Sequence, residues 1–306
     1  MNLQIGIRVP HGLFAEGPDA LSRFARSVES EGLDRIWVGD HVSFRGGQGY
    51  DGLLQAAVLA ALTRTVTIQT AVYLLALRHP VPAARQVASI SEMAPGRIIL
   101  GVGVGGDDPD ESINCGVNPK RRGRRTDESL SVLRRLLAGE VIDHAGPEFT
   151  LESASIRPVP AEAVPVVVGG RSEAAWNRAG RWSEGWLAVF TDADRFGEGI
   201  HRVTDAAASA DRSGVEWDHG VLMWCGLADE RQAARRLVGP AMEGLYRMPF
   251  ERFERYVPCG PAEAVAEMAS RYIEAGASHV LLSPHAADLD EAVAGVATVR
   301  RLLGSS

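Results

Sequence analysis

Short apolar runs alternate with amphipathic stretches along nearly the whole chain. In the first unit, residues 3–9 are apolar enough for a strand, and residues 18–31 carry Leu21, Phe24 and Val28 at helical spacing. The same alternation of strand and helix recurs eight times. The predicted strands are 3–9, 34–38, 66–75, 97–104, 164–168, 185–190, 221–227 and 279–283.

The strands lack strict polar alternation, which indicates burial on both faces, as in a parallel sheet. Eight such units predict an α/β protein with a closed (β/α)₈ barrel, or TIM barrel, and an open doubly wound sheet is the alternative. A barrel of this kind can take up the whole of residues 1–306 as a single domain. Insertions are predicted after strand 4, before strand 5 and near strand 8, at 105–125, 139–160 and 239–258.

Two of these insertions carry local signals of their own. Turn residues at 144–146, followed by Phe149 and Leu151, predict a hairpin within the second insertion. The third insertion holds four aromatic residues that could form either a substrate wall or a satellite core under a loop. These residues are Tyr246, Phe250, Phe253 and Tyr256.

Composition and charge exclude several classes of protein. Hydrophobic residues make up 45% of the chain and charged residues 23%, as in ordinary globular proteins. A net charge of −7 without a basic stripe argues against nucleic-acid binding. No apolar run approaches the ~20 residues that span a bilayer, and no secretory signal is recognisable, so a cytoplasmic protein is expected. Cys115, Cys225 and Cys259 are widely spaced, which predicts reduced thiols.

In a parallel barrel the active site lies at the carboxyl ends of the strands. Those ends carry few ionisable groups here, which argues against a glycosidase or a divalent-metal site. His11, His41 and His285 share no ligand spacing, so no metal is expected. A strand-end lysine of the aldolase kind is also missing, because the single lysine, Lys120, lies in a predicted loop. A mouth of glycine and apolar residues suits a large planar cofactor.

Two glycine-rich segments could bind phosphate. Gly101, Gly103 and Gly106 formally satisfy GxGxxG, but acidic residues follow and no helix is expected directly after them, so a dinucleotide fold is rejected. Residues 169–172 are the better candidate, because two glycines end a buried strand and a helix begins at Ser172. Free amides, the positive helix end and the hydroxyl could hold a phosphate. An ordinary glycine turn capped by Ser172 is the alternative.

Polar residues also end the second strand. His41 would lie at the barrel mouth, where Asp40 could orient it or bind a ring. A polar strand end without a function is the alternative. The basic run at 120–125 is either a solvated loop with local ion pairs or a contact for an anionic cofactor tail.

In their order along the chain, five segments resemble the bacterial luciferase-like flavin and deazaflavin oxidoreductases. The resemblance implies a (β/α)₈ barrel with an insertion, usually a homodimer, and either FMN or the 8-hydroxy-5-deazaflavin F420 as cofactor. The segments are 36–41 (IWVGDH), 74–106 (including RHPVPAARQVASISEMAPGRIILGVGVGG), 121–128 (RRGRRTDE), 164–189 (beginning VPVVVGGRSEAAWNRAG) and 260–284 (GPAEAVAEM…YIEAGASHVLLSP).

The resemblance also implies roles for individual residues. His41 matches the histidine that assists catalysis beside the deazaflavin ring. Ala71 and Val72 match a strand-three bulge behind the ring, often with a non-prolyl cis peptide bond. Residues 169–172 match the phosphate turn. The implied cofactor-binding set is Asp40, Ala71, Val72, Val104, Gly105, Gly169, Gly170, Arg171 and Ser172.

The chain departs from the family pattern at two places near the end of strand 4. Sugar-phosphate dehydrogenases of this class have a catalytic glutamate where this chain has Gly106, which leaves Asp107 as the neighbouring acid and argues against a sugar-phosphate substrate. The arginine that binds FMN phosphate in luciferases is missing there, which favours F420 over FMN.

The sequence therefore predicts an F420-dependent oxidoreductase that transfers a hydride between the deazaflavin and a small organic substrate. The predicted catalytic residues are His41 and Asp107. Two alternatives remain, an FMN-dependent luciferase-like monooxygenase and a flavin-binding barrel without catalysis.

Overall fold

The computed structural model describes residues 3–106 and 108–304. Eight parallel strands close into a barrel, which confirms the predicted fold. The strands are numbered in chain order. Two of them, β5 and β6, lie outside the barrel wall, and a third, β10, lies beside it; these three are described below. The barrel strands are β1 (Gln4–Arg8), β2 (Arg35–Val38), β3 (Thr67–Thr70), β4 (Ile98–Val102), β7 (Val166–Gly169), β8 (Gly185–Val189), β9 (Gly220–Leu227) and β11 (His279–His285).

The barrel closes in chain order. Each strand pairs in parallel with the next, and β11 pairs with both β9 and β1. The strands are apolar on both faces because their side chains point either into the barrel or against the outer helices; all five residues of β4 and all four of β2 are buried.

An outer layer of helices covers the barrel. In the first helix, Leu21, Phe24 and Val28 are buried against the sheet, as the spacing predicts, and each such side chain contributes ~1.5–3 kcal/mol by leaving water. The helices are α1 (Pro18–Ser30), α2 (Gly52–Leu62), α3 (Pro80–Met93), α4 (Pro109–Asn114), α5 (Arg122–Leu137), α6 (Glu173–Trp182), α7 (Ala193–Ala208), α8 (Arg231–Tyr246), α9 (Ala262–Glu274) and α10 (Leu289–Gly304).

The insertion before the fifth barrel strand contains the predicted hairpin, formed by β5 (Ile142–Ala145) and β6 (Thr150–Ala154). The insertion after β4 is more ordered than a loop. It contains α4, and α5 begins at Arg122 rather than near residue 126. The basic first turn of α5 has no apolar spacing, which is why the periodicity missed it.

The insertion near the eighth strand is only partly a loop. Helix α8 continues through Pro240 to Tyr246, although proline usually ends a helix. Two short 3₁₀ turns follow, and the two-residue strand β10 (Cys259–Gly260) pairs with β9. Phe250 and Phe253 are buried against Trp224, so they form a satellite core, whereas Tyr246 lines the barrel mouth. The satellite-core alternative is therefore confirmed for Phe250 and Phe253, and the substrate wall stays a prediction for Tyr246, which also packs against this core.

Within the described residues, no helix is long and apolar enough to cross a membrane.

Candidate active site

A cavity of about 300 Å³ opens at the carboxyl ends of the barrel strands. Its walls come from residues at or just after the ends of seven barrel strands, as the barrel fold predicts. The cavity brings together most of the predicted site residues, namely Asp40, His41, Ala71, Val72, Val104, Gly105, Gly169 and Gly170. Arg171 and Ser172 lie beside this wall at the start of α6, and Asp107 lies outside the described residues.

Asp40 positions the loops at the mouth instead of orienting His41. Its buried carboxylate accepts two hydrogen bonds from Arg78, at 2.5 and 2.8 Å, and one each from the amides of Gly52 and Leu74, both at 2.8 Å. Burial raises the pKa of this carboxyl group, and the Arg78 guanidinium opposes that shift. The four donors join the start of α2 to the segment after β3.

The partner of His41 is Glu111 on α4. Both Glu111 carboxylate oxygens lie 3.2 Å from Nδ1 of His41, and Glu111 also accepts from the Val42 amide at 2.7 Å. Burial alone would raise the pKa of Glu111, but the hydrogen bonds from His41 and Val42 lower it below its ordinary value. An ionised carboxylate can only accept, so Nδ1 carries the proton and Nε2 is left for the cavity.

The His41 ring is held on a second side by an aromatic contact. It stacks on Phe44 with ring centroids 4.0 Å apart. Since Glu111 fixes one ring nitrogen and Phe44 one ring face, the imidazole is oriented before any ligand binds. This arrangement can accept or donate a proton at Nε2 while Glu111 stabilises the charged ring.

Glu111 is the acidic residue that the sequence analysis missed. It belongs to a segment predicted to be a loop, five residues beyond the glycine at which the family has its glutamate. A signal was present, because Asp108, Pro109 and the acidic residues after them form a typical helix start. The Asp108 side chain caps α4 through the Asp110 amide at 3.1 Å, which brings Glu111 back over His41.

The segment after β3 forms the opposite wall. The peptide bond between Ala71 and Val72 is cis, as the resemblance implies. The Val72 side chain fills the space beside the glycines of the neighbouring strands: a Cβ atom at Gly169 would lie 2.7 Å from Cγ1 of Val72. Gly169 is therefore needed for packing as well as for any phosphate.

The glycine turn after β7 has the geometry of a helix start but fewer free donors than expected. Gly170 has a φ of +135°, and a Cβ atom there would lie 2.8 Å from Cβ of Ala175. The Gly170 amide already donates to the Leu187 carbonyl at 3.3 Å. The Ser172 side chain caps α6 by accepting from the Ala175 amide at 3.3 Å, so its hydroxyl proton remains available.

An arginine side chain lies at the end of β4, where the sequence shows only glycine and valine. A Cβ atom at Gly106 would lie 3.3 Å from Nη2 of Arg122, which projects from the first turn of α5. Nε of Arg122 donates to the Pro119 carbonyl at 2.9 Å, and its buried Nη1 has no partner among the described residues. The basic run at 120–125 thus places an arginine at the cavity rim. The sequence favoured F420 over FMN because an arginine was missing at the end of strand 4, and the position of Arg122 weakens that argument.

The far side of the cavity is lined by residues of β9, β1 and β2. Here the Arg8 guanidinium lies between two indole rings, 5.3 Å from the centroid of Trp37 and 5.1 Å from that of Trp224. The His285 ring stacks on the Trp224 ring, with centroids 5.3 Å apart. Burial lowers the pKa of both His11 and His285 to about 4, so both rings are neutral near pH 7.

Across the described ranges 3–106 and 108–304, no group of three or more His, Cys, Asp or Glu side chains is arranged to hold a metal ion. The charged and titratable side chains that line the cavity include Arg8, His11, Asp40, His41 and Glu111, and Arg122 and the glycine turn lie at its rim. The chain is thus a (β/α)₈ barrel whose largely apolar cavity is bordered by positively charged and titratable side chains.

The chain belongs to the luciferase-like monooxygenase family, whose model matches residues 3–302. Among curated proteins, it is 31% identical over 210 residues to an F420-dependent glucose-6-phosphate dehydrogenase of Nakamurella multipartita. That match covers 65% of this chain and 59% of the relative, so less than two thirds of the relative's length is matched.

Solved structures share the fold over the whole chain. An F420-dependent secondary alcohol dehydrogenase, in complex with an F420–acetone adduct, has a TM-score of 0.86 at 22% identity and covers 99% of both chains. The FMN complex of a type II Baeyer–Villiger monooxygenase from Pseudomonas putida has a TM-score of 0.78 at 19% identity, with 100% of this chain and 99% of that chain covered. The relatives and neighbours named here are thus oxidoreductases that use either F420 or FMN.

Proposed function

We propose that the protein is an F420-dependent oxidoreductase that transfers a hydride between the deazaflavin and a small organic substrate. The observation that carries the proposal is the pair formed by His41 and Glu111 at the mouth of the cavity. A proton-transfer group is what an alcohol–carbonyl conversion needs besides a hydride carrier. The F420-dependent relative and structural neighbour support the choice of cofactor.

The residues of the cavity fit a flat ring with an anionic tail. The segment of Ala71 and Val72 would back the ring, and the backbone of Val104 and Gly105 would lie at its edge. A Cβ atom at Gly106 would occupy the space in front of the Arg122 guanidinium. Such an open space in front of a buried, unpartnered cation nitrogen is what a phosphate needs.

The phosphate would lie between Arg122 and the turn at 169–172. The Ser172 hydroxyl and the amides of the first turn of α6 supply donors there, and the positive end of the helix favours an anion by ~0.3–1 kcal/mol. Arg171 is exposed beside this turn and can add long-range attraction.

Bound F420 supplies a ring carbon that accepts or donates a hydride. His41 handles the accompanying proton. When an alcohol substrate is oxidised, its hydroxyl proton moves to Nε2 of His41, and the Glu111 carboxylate stabilises the imidazolium through Nδ1–H. When a carbonyl is reduced, the same nitrogen returns the proton to the carbonyl oxygen. The chain supplies proton transfer and orientation, and the cofactor supplies the hydride.

A second candidate is an FMN-dependent monooxygenase. It is favoured by Arg122, which brings a guanidinium to the end of β4, and by the FMN complex among the structural neighbours. The same cavity would hold either ring system, because the Ala71–Val72 wall and the glycine turn do not distinguish them.

Titration of the purified protein with F420 and, separately, with FMN tests the proposal. We expect saturable quenching of F420 fluorescence, at least ~10-fold tighter binding of F420 than of FMN, and spectral reduction of F420 by an alcohol substrate from a panel that includes glucose 6-phosphate. Tight FMN binding without F420 binding would overturn the proposal in favour of the monooxygenase. Binding of either cofactor without any turnover on the panel would favour the non-catalytic barrel.

A further inference from the structure

Arg8 is a positively charged residue of the cavity wall that has no part in the proposed proton transfer or cofactor binding. It ends β1, and its side chain reaches the cavity, where it remains partly exposed. Its guanidinium lies between the rings of Trp37 and Trp224 and donates to Oγ of Ser283 at 3.4 Å.

No carboxylate among the described residues pairs with Arg8. The nearby acids are held elsewhere, Glu111 by His41 and Asp40 by Arg78. Burial lowers the pKa of Arg8 to about 10, which still leaves the side chain charged near pH 7. The cavity therefore contains a positive charge that aromatic faces and one hydroxyl only partly compensate.

The position of Arg8 separates it from the proposed cofactor contacts. The ring wall and phosphate contacts belong to β3, β4 and β7, whereas Arg8 and its neighbours belong to β1, β2, β9 and β11, on the other side of the barrel. An anion held by Arg8 would thus face the ring across the cavity, where a substrate must lie to exchange a hydride.

We propose that Arg8 binds a carboxylate of the substrate, so that the protein acts on hydroxy or oxo acids with an apolar carbon frame. This inference rests on the proposed oxidoreductase function. The fork of the guanidinium matches a planar carboxylate, and the buried Ser283 hydroxyl, which accepts from Arg8, helps to hold the guanidinium in place. Trp37 and Trp224 provide apolar faces on both sides, which suits the carbon frame of such an acid.

A single positive charge between two indoles favours a monoanion over a phosphate dianion. His11 lines the same region and His285 stacks on Trp224, but both rings remain neutral near pH 7, so they add no second charge. A dianion would therefore lose more hydration free energy on entering the cavity than its interaction with one guanidinium restores.

Calorimetric titration with benzoate and with benzamide, its neutral counterpart, tests the inference. The titrations use cofactor-free protein and protein loaded with F420, so the first arm does not depend on the proposed cofactor. We expect benzoate to bind at least ~10-fold more tightly than benzamide to the wild type, since a hydrogen-bonded charge contributes roughly 1.5–3 kcal/mol. Arg8→Gln should abolish this preference, and Arg202→Gln, an exposed arginine on α7, should leave it unchanged.

Three results would overturn the inference. They are equal binding of benzoate and benzamide to the wild type, a preference retained in Arg8→Gln, and inorganic phosphate that binds through Arg8 more tightly than benzoate. If Arg8→Gln fails to fold, Arg8→Lys tests the inference instead, because lysine keeps the positive charge but lacks the forked guanidinium. It should weaken benzoate at least ~3-fold and leave benzamide unchanged. If F420 does not bind while the benzoate preference depends on Arg8, the cofactor assignment fails and the anion site stands.

Discussion

At the scale of single residues, the site depends on a hydrogen bond between residues far apart in the chain. His41 ends a strand, and Glu111 comes 70 residues later on a short helix. The carboxylate fixes the protonated ring nitrogen, so the other nitrogen is set to exchange a proton. The His41 side chain is 28% exposed at the cavity mouth, so its proposed role in proton transfer can be tested separately from its effect on stability.

We expect His41→Asn to lower turnover by roughly 10²–10⁴-fold, the contribution typical of general acid–base catalysis, with little change in melting temperature. Steady-state kinetics of the F420-loaded protein and thermal unfolding by circular dichroism measure the two effects. His201→Asn is the control, because it makes the same change at an exposed histidine on α7, away from the cavity. A large fall in melting temperature with turnover retained would show that His41 is a packed structural residue.

Glu111 should make stability depend on pH. Its pKa is below the ordinary value of 4.5 in the folded protein, so its contribution is fully present above about pH 4.5 and is lost as the pH falls through the folded-state pKa. We expect Glu111→Gln to be less stable than the wild type at pH 7, and the difference to shrink on acidification to pH 3.5. Urea unfolding at both pH values measures it. A difference that grows on acidification would contradict the assigned ionisation.

The positions of site residues were predictable from the sequence only where a strand end determines them. His41 and the glycines at 169–170 follow buried strands, so the barrel fold places them in the cavity. Of the two roles considered for Asp40, the structure does not show the orientation of His41, because its carboxylate accepts from Arg78, which lies 38 residues away and is brought near only by the folded mouth. Glu111 was missed for the same reason.

At the scale of elements, the start of helix α5 determines the charge of the cavity rim. The sequence predicted this helix to begin near residue 126, because apolar spacing is visible only from there. The extra turn projects Arg122 toward Gly106, and without it the basic run would be a surface loop. A first helical turn made of polar residues shows no apolar periodicity, so such a helix start must be predicted from capping residues.

We expect Arg122→Gln to weaken F420 binding ~10-fold or more, because a charged hydrogen bond to a phosphate contributes roughly 1.5–3 kcal/mol. Fluorescence titration at low and high salt measures the loss, which should be smaller at high salt. Arg124→Gln is the matched control, since Arg124 lies on the same helix with an exposed side chain. Equal effects of the two variants would mean that only general attraction, and no specific contact, is involved.

At the scale of the whole molecule, the fold was predictable because it is repetitive. Eight buried strands with amphipathic connections leave few alternatives to a closed barrel, and the open-sheet alternative is wrong because β11 pairs with β1. The insertions were less predictable, since their structure depends on tertiary contacts. Helix α8 continues past Pro240 because Val238 and Met242 are buried beneath Phe250, which stabilises the turns on either side.

One outer helix has a composition unlike the rest. Helix α2 contains no charged residue, and it exposes Leu54 and Val58, which lie one turn apart and are 67% and 39% exposed. Met93, at the end of the adjacent helix α3, is 52% exposed. A helix that is apolar on all sides is normally covered. Leu54 and Val58 therefore mark the face on which we expect the homodimer that the family resemblance implies.

We expect the wild type to elute at about twice 32.8 kDa in size-exclusion chromatography with light scattering, and Leu54→Glu combined with Val58→Glu to elute as a folded monomer. Two carboxylates on this face would have to lose their hydration in the interface, which costs several kcal/mol when no cation pairs with them. Val141→Glu is the control, because Val141 is equally exposed at 61% but precedes the hairpin strand β5. A monomeric wild type, or a dimer that Val141→Glu disrupts and the α2 variant does not, would place the interface elsewhere or exclude it.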